Sequence, residues 1–237
     1  YIRMTQCLME IFGVKTARAD SIISISPQSY RPAPYTVESD WSAASYWYEM
    51  LSLSKEGSEI FLKGLYKNSL QGDAKIAQLF EALGVTTTFV EDGIILQQTE
   101  RIVSPFIYNF QHEPDLAQTF VVTCALKNIP FHFTGLQSLK IKETDRLAAL
   151  RTEMRKLGYP LVVSNDNAIE WTGERCEAEP FPVIATYEDH RMAMAFAPAA
   201  MRLDDGIGIN EPEVVSKSYP AFWDDLETAG FSITKQL

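Results

Sequence analysis

The sequence predicts an α/β (α+β) fold in which one short unit of helices and strands occurs three times. Each unit has an aspartate where an extended run changes into an apolar helix; these residues are Asp40, Asp115 and Asp189. A second helix ends in a glycine about 40–45 residues after each aspartate, at Gly84, Gly158 and Gly230. A repeat with a fixed period sets the architecture, because each unit packs on its neighbours.

The helices that follow these aspartates are apolar on every side. The stretches FVVTCAL at 120–126 and MAMAFAPAAM at 192–201 have almost no polar face, and a helix of this kind is buried. We therefore expect sheets outside and helices inside, with the helix starts gathered at one end. Helix starts attract anions through their free N–H groups and their dipole. Pro198 is expected to kink its helix or to remove a hydrogen bond.

The predicted elements follow the repeat in order. A helix and two short strands precede it, at 1–14, 21–26 and 35–37. The first unit has a helix, a strand, a helix and a hairpin, at 42–53, 59–65, 73–83, 86–90 and 93–97. Its hairpin turns at Asp92-Gly93, a dipeptide typical of tight turns between strands.

The second unit follows the same order, at 116–126, 131–134, 144–157, 160–164 and 168–172. The third unit has a helix at 191–201, a strand at 206–209, a helix near Pro220 and one strand at 231–234. The repeat requires one more strand there, and the chain opens on a helix pattern without an initiator Met. We therefore expect a fragment of a longer protein, whose N-terminal part supplies the missing strand.

The composition excludes several classes of protein. A net charge of −10 argues against a general nucleic-acid surface. Cys7, Cys124 and Cys176 are odd in number and lack CxxC spacing, so we expect neither a disulfide framework nor a zinc site. Reduced cysteines, with no apolar run of membrane-spanning length and no signal-peptide pattern, predict a cytoplasmic protein.

The densest charged cluster precedes the second helix of the second unit. Lys142 and Arg146 are four residues apart and would share one helix face, with Glu143 beside them. Two cations next to a carboxylate can hold a phosphate or carboxylate and can also move a proton. The alternative is a capped helix start with solvated charges, in which Thr144 or Asp145 is the cap.

A second charged cluster, YEDHR at 187–191, opens the third apolar helix. Arg191 lies in the first turn, where a cation opposes the helix dipole, so an anion is expected beside it. The alternative pairs Arg191 with Glu188 or Asp189.

Four further residues give weaker signals. Asp115 has the position of an ordinary helix N-cap, and Lys217 could be an ordinary surface lysine. His112 and His132 stand alone in the sequence, which favours structural roles over metal binding.

Two stretches closely resemble the signature regions of 5-enolpyruvylshikimate-3-phosphate (EPSP) synthases: KIKETDRLAAL at 140–150 and YEDHRMAMA at 187–195. The order of VESD, SAASY, HEPD and a lysine near the end also fits. The resemblance covers essentially the whole chain, but family members are nearly twice as long. The chain therefore resembles their C-terminal half.

The resemblance implies an enolpyruvyl-transferase fold, an inside-out α/β barrel built from βαβαββ repeats. Residues 1–38 would be the tail of an N-terminal-side domain, and 39–237 would form the C-terminal domain. Its three repeats would span about 39–99, 100–173 and 174–237, the last of them incomplete.

The resemblance also implies a reaction. The enolpyruvyl group of phosphoenolpyruvate passes to the 5-hydroxyl of shikimate 3-phosphate through a tetrahedral intermediate, with release of phosphate, in chorismate and aromatic amino-acid biosynthesis. No metal and no organic cofactor are implied. The implied partners are the two substrates and the N-terminal half of the same protein, in a monomer without nucleic acid or membrane.

The motif match assigns the expected site residues. Phosphoenolpyruvate would be held by Arg146, Arg191 and Lys217, since arginine suits oxyanions through bidentate geometry. Asp115 would take the hydroxyl proton and contact the shikimate ring. Glu143 would carry the proton at the methylene carbon.

Three more residues are expected on the shikimate 3-phosphate side. Lys142 would contact this substrate and assist proton transfer, and Tyr1 would lie near its phosphate. Ser138 stands where the family usually has an asparagine, and its shorter side chain cannot make the same amide contacts.

Three alternatives compete with this interpretation. The related transferase that acts on UDP-N-acetylglucosamine has the same repeat fold, but the pairing of KETDR with DHRMAM argues against it. A non-catalytic fragment or interaction module is the second, because the first-domain substrate contacts lie outside the chain; we expect no turnover by the chain alone. The third, an RNA-processing cyclase of similar architecture, is disfavoured by the acidic charge.

Overall fold

The computed structural model describes residues 1–235, which form seven α-helices and eleven β-strands. The helices are α1 (Ile2–Ile11), α2 (Trp41–Leu53), α3 (Ile76–Leu79), α4 (Ala117–Leu126), α5 (Arg146–Lys156), α6 (His190–Phe196) and α7 (Phe222–Thr228). The strands are β1 (Ala17–Ala19), β2 (Ile22–Ser24), β3 (Glu59–Lys63), β4 (Val85–Val90), β5 (Gly93–Gln98), β6 (Phe106–Asn109), β7 (Phe131–Thr134), β8 (Val162–Ser164), β9 (Ala168–Trp171), β10 (Val183–Ile184) and β11 (Gly208–Ile209). Among the described residues, none of the helices has both the length and the apolar character needed to cross a membrane.

The middle of the chain shows one full unit in the order β6, α4, β7, α5, β8 and β9. Its sheet has the order β6-β7-β9-β8, with β6 and β7 parallel and the other pairs antiparallel. The parallel pair needs a crossover, which α4 provides. A three-stranded antiparallel sheet, β3-β5-β4, precedes this unit, and the parallel pair β10 and β11 follows it.

The core is centred on the helices, as expected from their composition. All ten residues of α4 are buried, and α2 and α6 are buried over most of their length. Phe120 of α4 is fully buried and packs against other aromatic rings. These rings belong to Phe80, Phe106, Phe110 and Phe133. The prediction of sheets outside and helices inside is confirmed.

Two predicted strands are absent from the described part of the chain. Residues 35–37 and 231–234 are irregular, although Phe231 and Ile233 pack against the core. A strand requires a neighbour for its backbone hydrogen bonds, and the described residues offer none to 231–234. Conversely, β6 and β10 were not predicted, because each is short and lies next to prolines that obscure its pattern.

Two predicted helices are interrupted. The helix expected at 73–83 is a 3-10 turn (Gly72–Lys75), then α3, then a second 3-10 turn (Phe80–Leu83). The helix expected at 191–201 is α6 followed by a 3-10 segment, Ala197–Arg202. Pro198 lies at the start of that segment, so its expected disturbance of the helix is confirmed.

We predict that Phe120→Ala lowers the free energy of unfolding by about 3–5 kcal/mol, because it leaves a cavity among packed rings. Urea denaturation measures the loss. Phe61→Ala is the control, since Phe61 is half exposed on β3, and it should change the free energy by only about 0.5 kcal/mol. Equal losses in the two variants would contradict a core built around α4.

A buried carboxyl group lies in this helical core. Glu49 of α2 is fully buried, and neither of its oxygens has a hydrogen-bond partner within residues 1–235. Burial raises its pKa well above the ordinary value of 4.5, because the ionised form is poorly solvated there. The folded state therefore keeps the Glu49 proton at pH values where the unfolded state releases it.

This raised pKa predicts a stability that falls as pH rises. The stabilising contribution of protonated Glu49 to the free energy of unfolding is fully present below pH 4.5. Above pH 4.5 it falls by about 1.4 kcal/mol per pH unit until the folded-state pKa of Glu49 is reached. Glu49→Gln should remove this pH dependence of the free energy of unfolding. The control, Glu81→Gln at an exposed residue, should keep it. The check is urea denaturation between pH 4 and pH 8; parallel curves for all three proteins would disprove the assignment.

Candidate active site

The three aspartates of the repeat have two different roles. Asp40 caps α2 by accepting a hydrogen bond from the Ser42 amide at 2.8 Å, and Asp189 caps α6 through the Arg191 amide at 2.9 Å. Asp115 instead lies in a 3-10 turn ahead of α4, a helix without a side-chain cap. The N-cap interpretation of Asp115 is therefore wrong, and its carboxylate is available for other partners.

Asp115 is the centre of a cluster of cations. Its Oδ1 lies 3.0 Å from Arg146 Nη1 and 3.3 Å from Lys142 Nζ. Its Oδ2 lies 3.3 Å from Arg191 Nη2 and accepts a hydrogen bond from the Tyr1 hydroxyl at 3.4 Å. Both predicted charged clusters thus meet at one carboxylate, together with Tyr1, which is 114 residues from Asp115 along the chain.

Arg146 is held by three carboxylates. Its Nε and Nη2 donate to the two oxygens of Asp189 at 2.6 and 3.3 Å, and Nη2 also donates to Glu143 at 2.7 Å. With Asp115 as the third partner, the side chain is only 1% exposed. A ligand can therefore reach Arg146 only where one carboxylate moves aside, and Glu143 is the most exposed, at 37%.

One expected geometry of the first charged cluster is wrong, and one is confirmed. Lys142 does not share a helix face with Arg146, because it is an extended residue after the 3-10 turn Gln137–Ile141. Asp145 caps α5, which begins only at Arg146, and accepts from the Ala148 amide at 3.1 Å. This part of the alternative, a cap at Asp145, is confirmed, yet Lys142 and Arg146 still converge on Asp115.

The alternative paired Arg191 with Glu188 or Asp189. In the structure, the Arg191 side chain pairs with Asp115 instead. Asp189 is not free for the Arg191 side chain, because its oxygens already accept from Arg146 and from the Arg191 amide. Burial disfavours the Arg191 charge, but Tyr46 and nearby carboxylates outweigh this and raise its pKa. Those carboxylates are Asp115, Asp73 and Asp40.

The environment keeps Asp115 ionised. Burial alone would raise its pKa, but the cations Arg191, Lys142 and Arg146 reverse this and lower it below the ordinary value of 3.8. Burial and the neighbouring Arg191 lower the pKa of His190, whose Nδ1 has no hydrogen-bond partner among the described residues. His190 is therefore neutral at pH 7.

The other expected site residues lie around this cluster. Lys217 is exposed and donates to the backbone oxygen of Glu188 at 2.7 Å, which brings it to the turn before Asp189. Ser138 lies in the 3-10 turn that leads to Lys142. In the part of the chain that is described, no three His, Cys, Asp or Glu side chains form a group that could hold a metal ion.

Sequence reasoning missed how Asp189, Asp73 and Tyr46 contribute. The aspartate of the DHR motif was recognised as a helix start but not as the partner of Arg146. Asp73 accepts a hydrogen bond from Ser42, and Tyr46 is fully buried near Arg191. Tyr46 lies inside the SAASY motif, which was a possible signal, whereas Asp73 had none in the sequence.

Comparisons with known proteins agree with this arrangement of motifs. A sequence model described as EPSP synthase (3-phosphoshikimate 1-carboxyvinyltransferase) matches residues 1–226. A 3-phosphoshikimate 1-carboxyvinyltransferase of Bacteroides fragilis is 56% identical over 234 residues, which cover 98% of this chain and 57% of that relative. A 3-phosphoshikimate 1-carboxyvinyltransferase of Vibrio cholerae is 34% identical over a region that covers 94% of this chain and 51% of the length of that relative. The chain thus spans about half the length of these relatives.

Solved structures show the same fold. An EPSP synthase from Acinetobacter baumannii has a TM-score of 0.77 at 21% identity and covers 99% of this chain and 55% of its own. An enolpyruvyl transferase from Streptomyces tendae has a TM-score of 0.64 at 15% identity, over 96% of this chain and 52% of its own. Since the sequence model spans nearly the whole chain, and the charged motifs meet at one site, the chain belongs to the EPSP synthase (3-phosphoshikimate 1-carboxyvinyltransferase) family.

Proposed function

We propose that this chain carries part of the active site of an enzyme that transfers the enolpyruvyl group of phosphoenolpyruvate to the 5-hydroxyl of shikimate 3-phosphate, releasing phosphate. One observation supports this most strongly: Lys142, Arg146 and Arg191 converge on the ionised Asp115. Cations from separate parts of the chain suit substrates that carry two carboxylates and two phosphates between them. The free cysteines are compatible with a cytoplasmic enzyme.

Phosphoenolpyruvate is the substrate that we assign to Arg146, Arg191 and Lys217. Arginine presents a planar fork of donors that matches carboxylate and phosphate oxygens. Lys217 reaches the same region through its contact with Glu188. We assign shikimate 3-phosphate to Tyr1, Ser138, Lys142 and Asp115.

Proton transfer is assigned to Asp115 and Glu143, with help from Lys142. The addition step removes a proton from the hydroxyl and adds one to the methylene carbon, so a base and an acid must both be near. Asp115 is a weak base while three cations lower its pKa. When bound substrate anions attract those cations, the Asp115 pKa rises, and its basicity increases as the reaction requires.

The chain by itself is proposed to be inactive. It spans 57% of its Bacteroides relative, and we propose that the other half of the site comes from the part of the protein that this chain does not match. In this proposal residues 1–38 belong to the end of the first domain, and 39–237 form a second domain of three repeats in a monomeric enzyme.

The test is a chimera in which this chain replaces its matched region of the Bacteroides fragilis relative. We expect the chimera to release phosphate from the two substrates together, and the isolated chain to release none. Release by the chain alone would refute the half-site proposal. No release by a folded chimera would favour the non-catalytic alternative, and release with UDP-N-acetylglucosamine in place of shikimate 3-phosphate would favour the related transferase.

We predict that Asp115→Asn in the chimera lowers kcat by about 100-fold or more, because the base is lost. The KM for phosphoenolpyruvate should not rise, since removing this negative charge leaves the cations free for the substrate. Steady-state phosphate release measures both values. The matched control is Asp166→Asn, because Asp166 is an exposed residue that pairs with Lys140 in the β8–β9 turn; it should keep kcat within about twofold. A selective rise in KM would instead give Asp115 a binding role.

A further inference from the structure

The turn that leads into α6 has an uncommon backbone conformation. Tyr187 and Glu188 both adopt left-handed φ angles, of 55° and 56°. Residues other than glycine rarely do so, and such conformations persist only where surrounding contacts hold them. The turn closes where the Asp189 amide donates to the Thr186 oxygen at 2.9 Å. Its shape therefore determines where Asp189 and Arg191 lie.

Glu153 of α5 holds this turn from inside the protein. It is fully buried, and its Oε1 accepts a hydrogen bond from the Tyr187 hydroxyl at 2.7 Å. Its Oε2 accepts from the Ala185 amide at 3.1 Å and from Lys156 Nζ at 2.6 Å. The buried charge is therefore paired, and the same carboxylate contacts both the end of β10 and the turn.

The Tyr187 hydroxyl remains a donor in this contact. Burial, the hydrogen bond to Glu153 and the charge of that carboxylate raise the pKa of Tyr187 to about 12. The phenol is therefore protonated at neutral pH. Glu153, fully buried beside Lys156, has one oxygen directed at this hydroxyl, and the 2.7 Å distance is normal for a hydroxyl that donates to a carboxylate.

One helix thus contacts the DHR motif at two places. α5 begins with Arg146, which binds the Asp189 carboxylate, and two turns later it presents Glu153 to the preceding turn. We propose that Glu153 and Tyr187 are positioning residues, whose hydrogen bond fixes the left-handed turn at 187–188 and so places Asp189 and Arg191 for phosphoenolpyruvate. The inference deepens the proposed function and rests on it for the identity of the ligand.

The experiment removes the hydroxyl with Tyr187→Phe and uses two measurements. In the 237-residue chain, hydrogen exchange of the Asp189 amide reports on the turn without any activity, and we expect it to become about tenfold faster. In the chimera, the KM for phosphoenolpyruvate should rise about tenfold, while the KM for shikimate 3-phosphate stays within about twofold. Adding Glu188→Gly should reverse most of both effects, because glycine adopts positive φ without steric cost.

The matched control is Tyr48→Phe. It removes a hydroxyl that is bonded to Thr87 at 2.8 Å, at a strand of another sheet, and it should change neither the Asp189 exchange nor either KM. The proposal is overturned if Tyr187→Phe leaves exchange and KM unchanged, or if Glu188→Gly fails to reverse the changes. An inactive unsubstituted chimera contradicts the proposed function, and the exchange measurement still decides whether the hydroxyl holds the turn.

Discussion

The buried guanidinium of Arg146 is the interaction on which the rest of the site depends. It joins Asp115, which precedes α4, to Asp189, which caps α6, and it is itself the first residue of α5. Three separate helix starts are therefore tied to one side chain that is almost inaccessible to water. A buried charge network of this kind contributes little net stability when complete, but losing one member leaves uncompensated charges in the interior. Its geometry is consequently well determined.

The repeated architecture explains why these charges can meet. Helices without a polar face can be buried only in the centre, so their starts have to gather at one end of the sheets. At that end the backbone N–H groups and the helix dipoles favour carboxylates, and Asp40 and Asp189 use them directly. Asp115 lies two residues before the first residue of α4 and pairs with cations instead. Because α4 and α6 are apolar and buried, their starts lie close together, and the charged residues at those starts meet at one site.

Much of this arrangement could be predicted from the sequence. Glycine-terminated helices, the apolar stretches and the two charged motifs indicated the repeat, the layering and the residues that meet. The ion pairs of Asp115 with Arg146 and Arg191 could not be predicted. In the sequence Asp115 has the position of an ordinary helix cap, and only the fold brings the two arginines to it. Strands were predicted at 35–37 from local sequence and at 231–234 from the repeat, but neither signal establishes that a neighbouring strand is present to pair with. The left-handed turn at Tyr187 and Glu188 gave no signal, since neither residue favours that conformation.

The charges of the cluster determine how an anion can enter it. The cations Lys142, Arg146 and Arg191 face the carboxylates of Asp115, Glu143 and Asp189, so the cluster is neutral without a ligand. A phosphate or carboxylate therefore gains little unless one of these carboxylates leaves its partner or takes up a proton. Asp189 is fully buried and Asp115 nearly so, whereas Glu143 is more than one-third exposed and has a single cationic partner. Glu143 is therefore the carboxylate best placed to move aside when an anion binds, and this mobility fits the role that we propose for it.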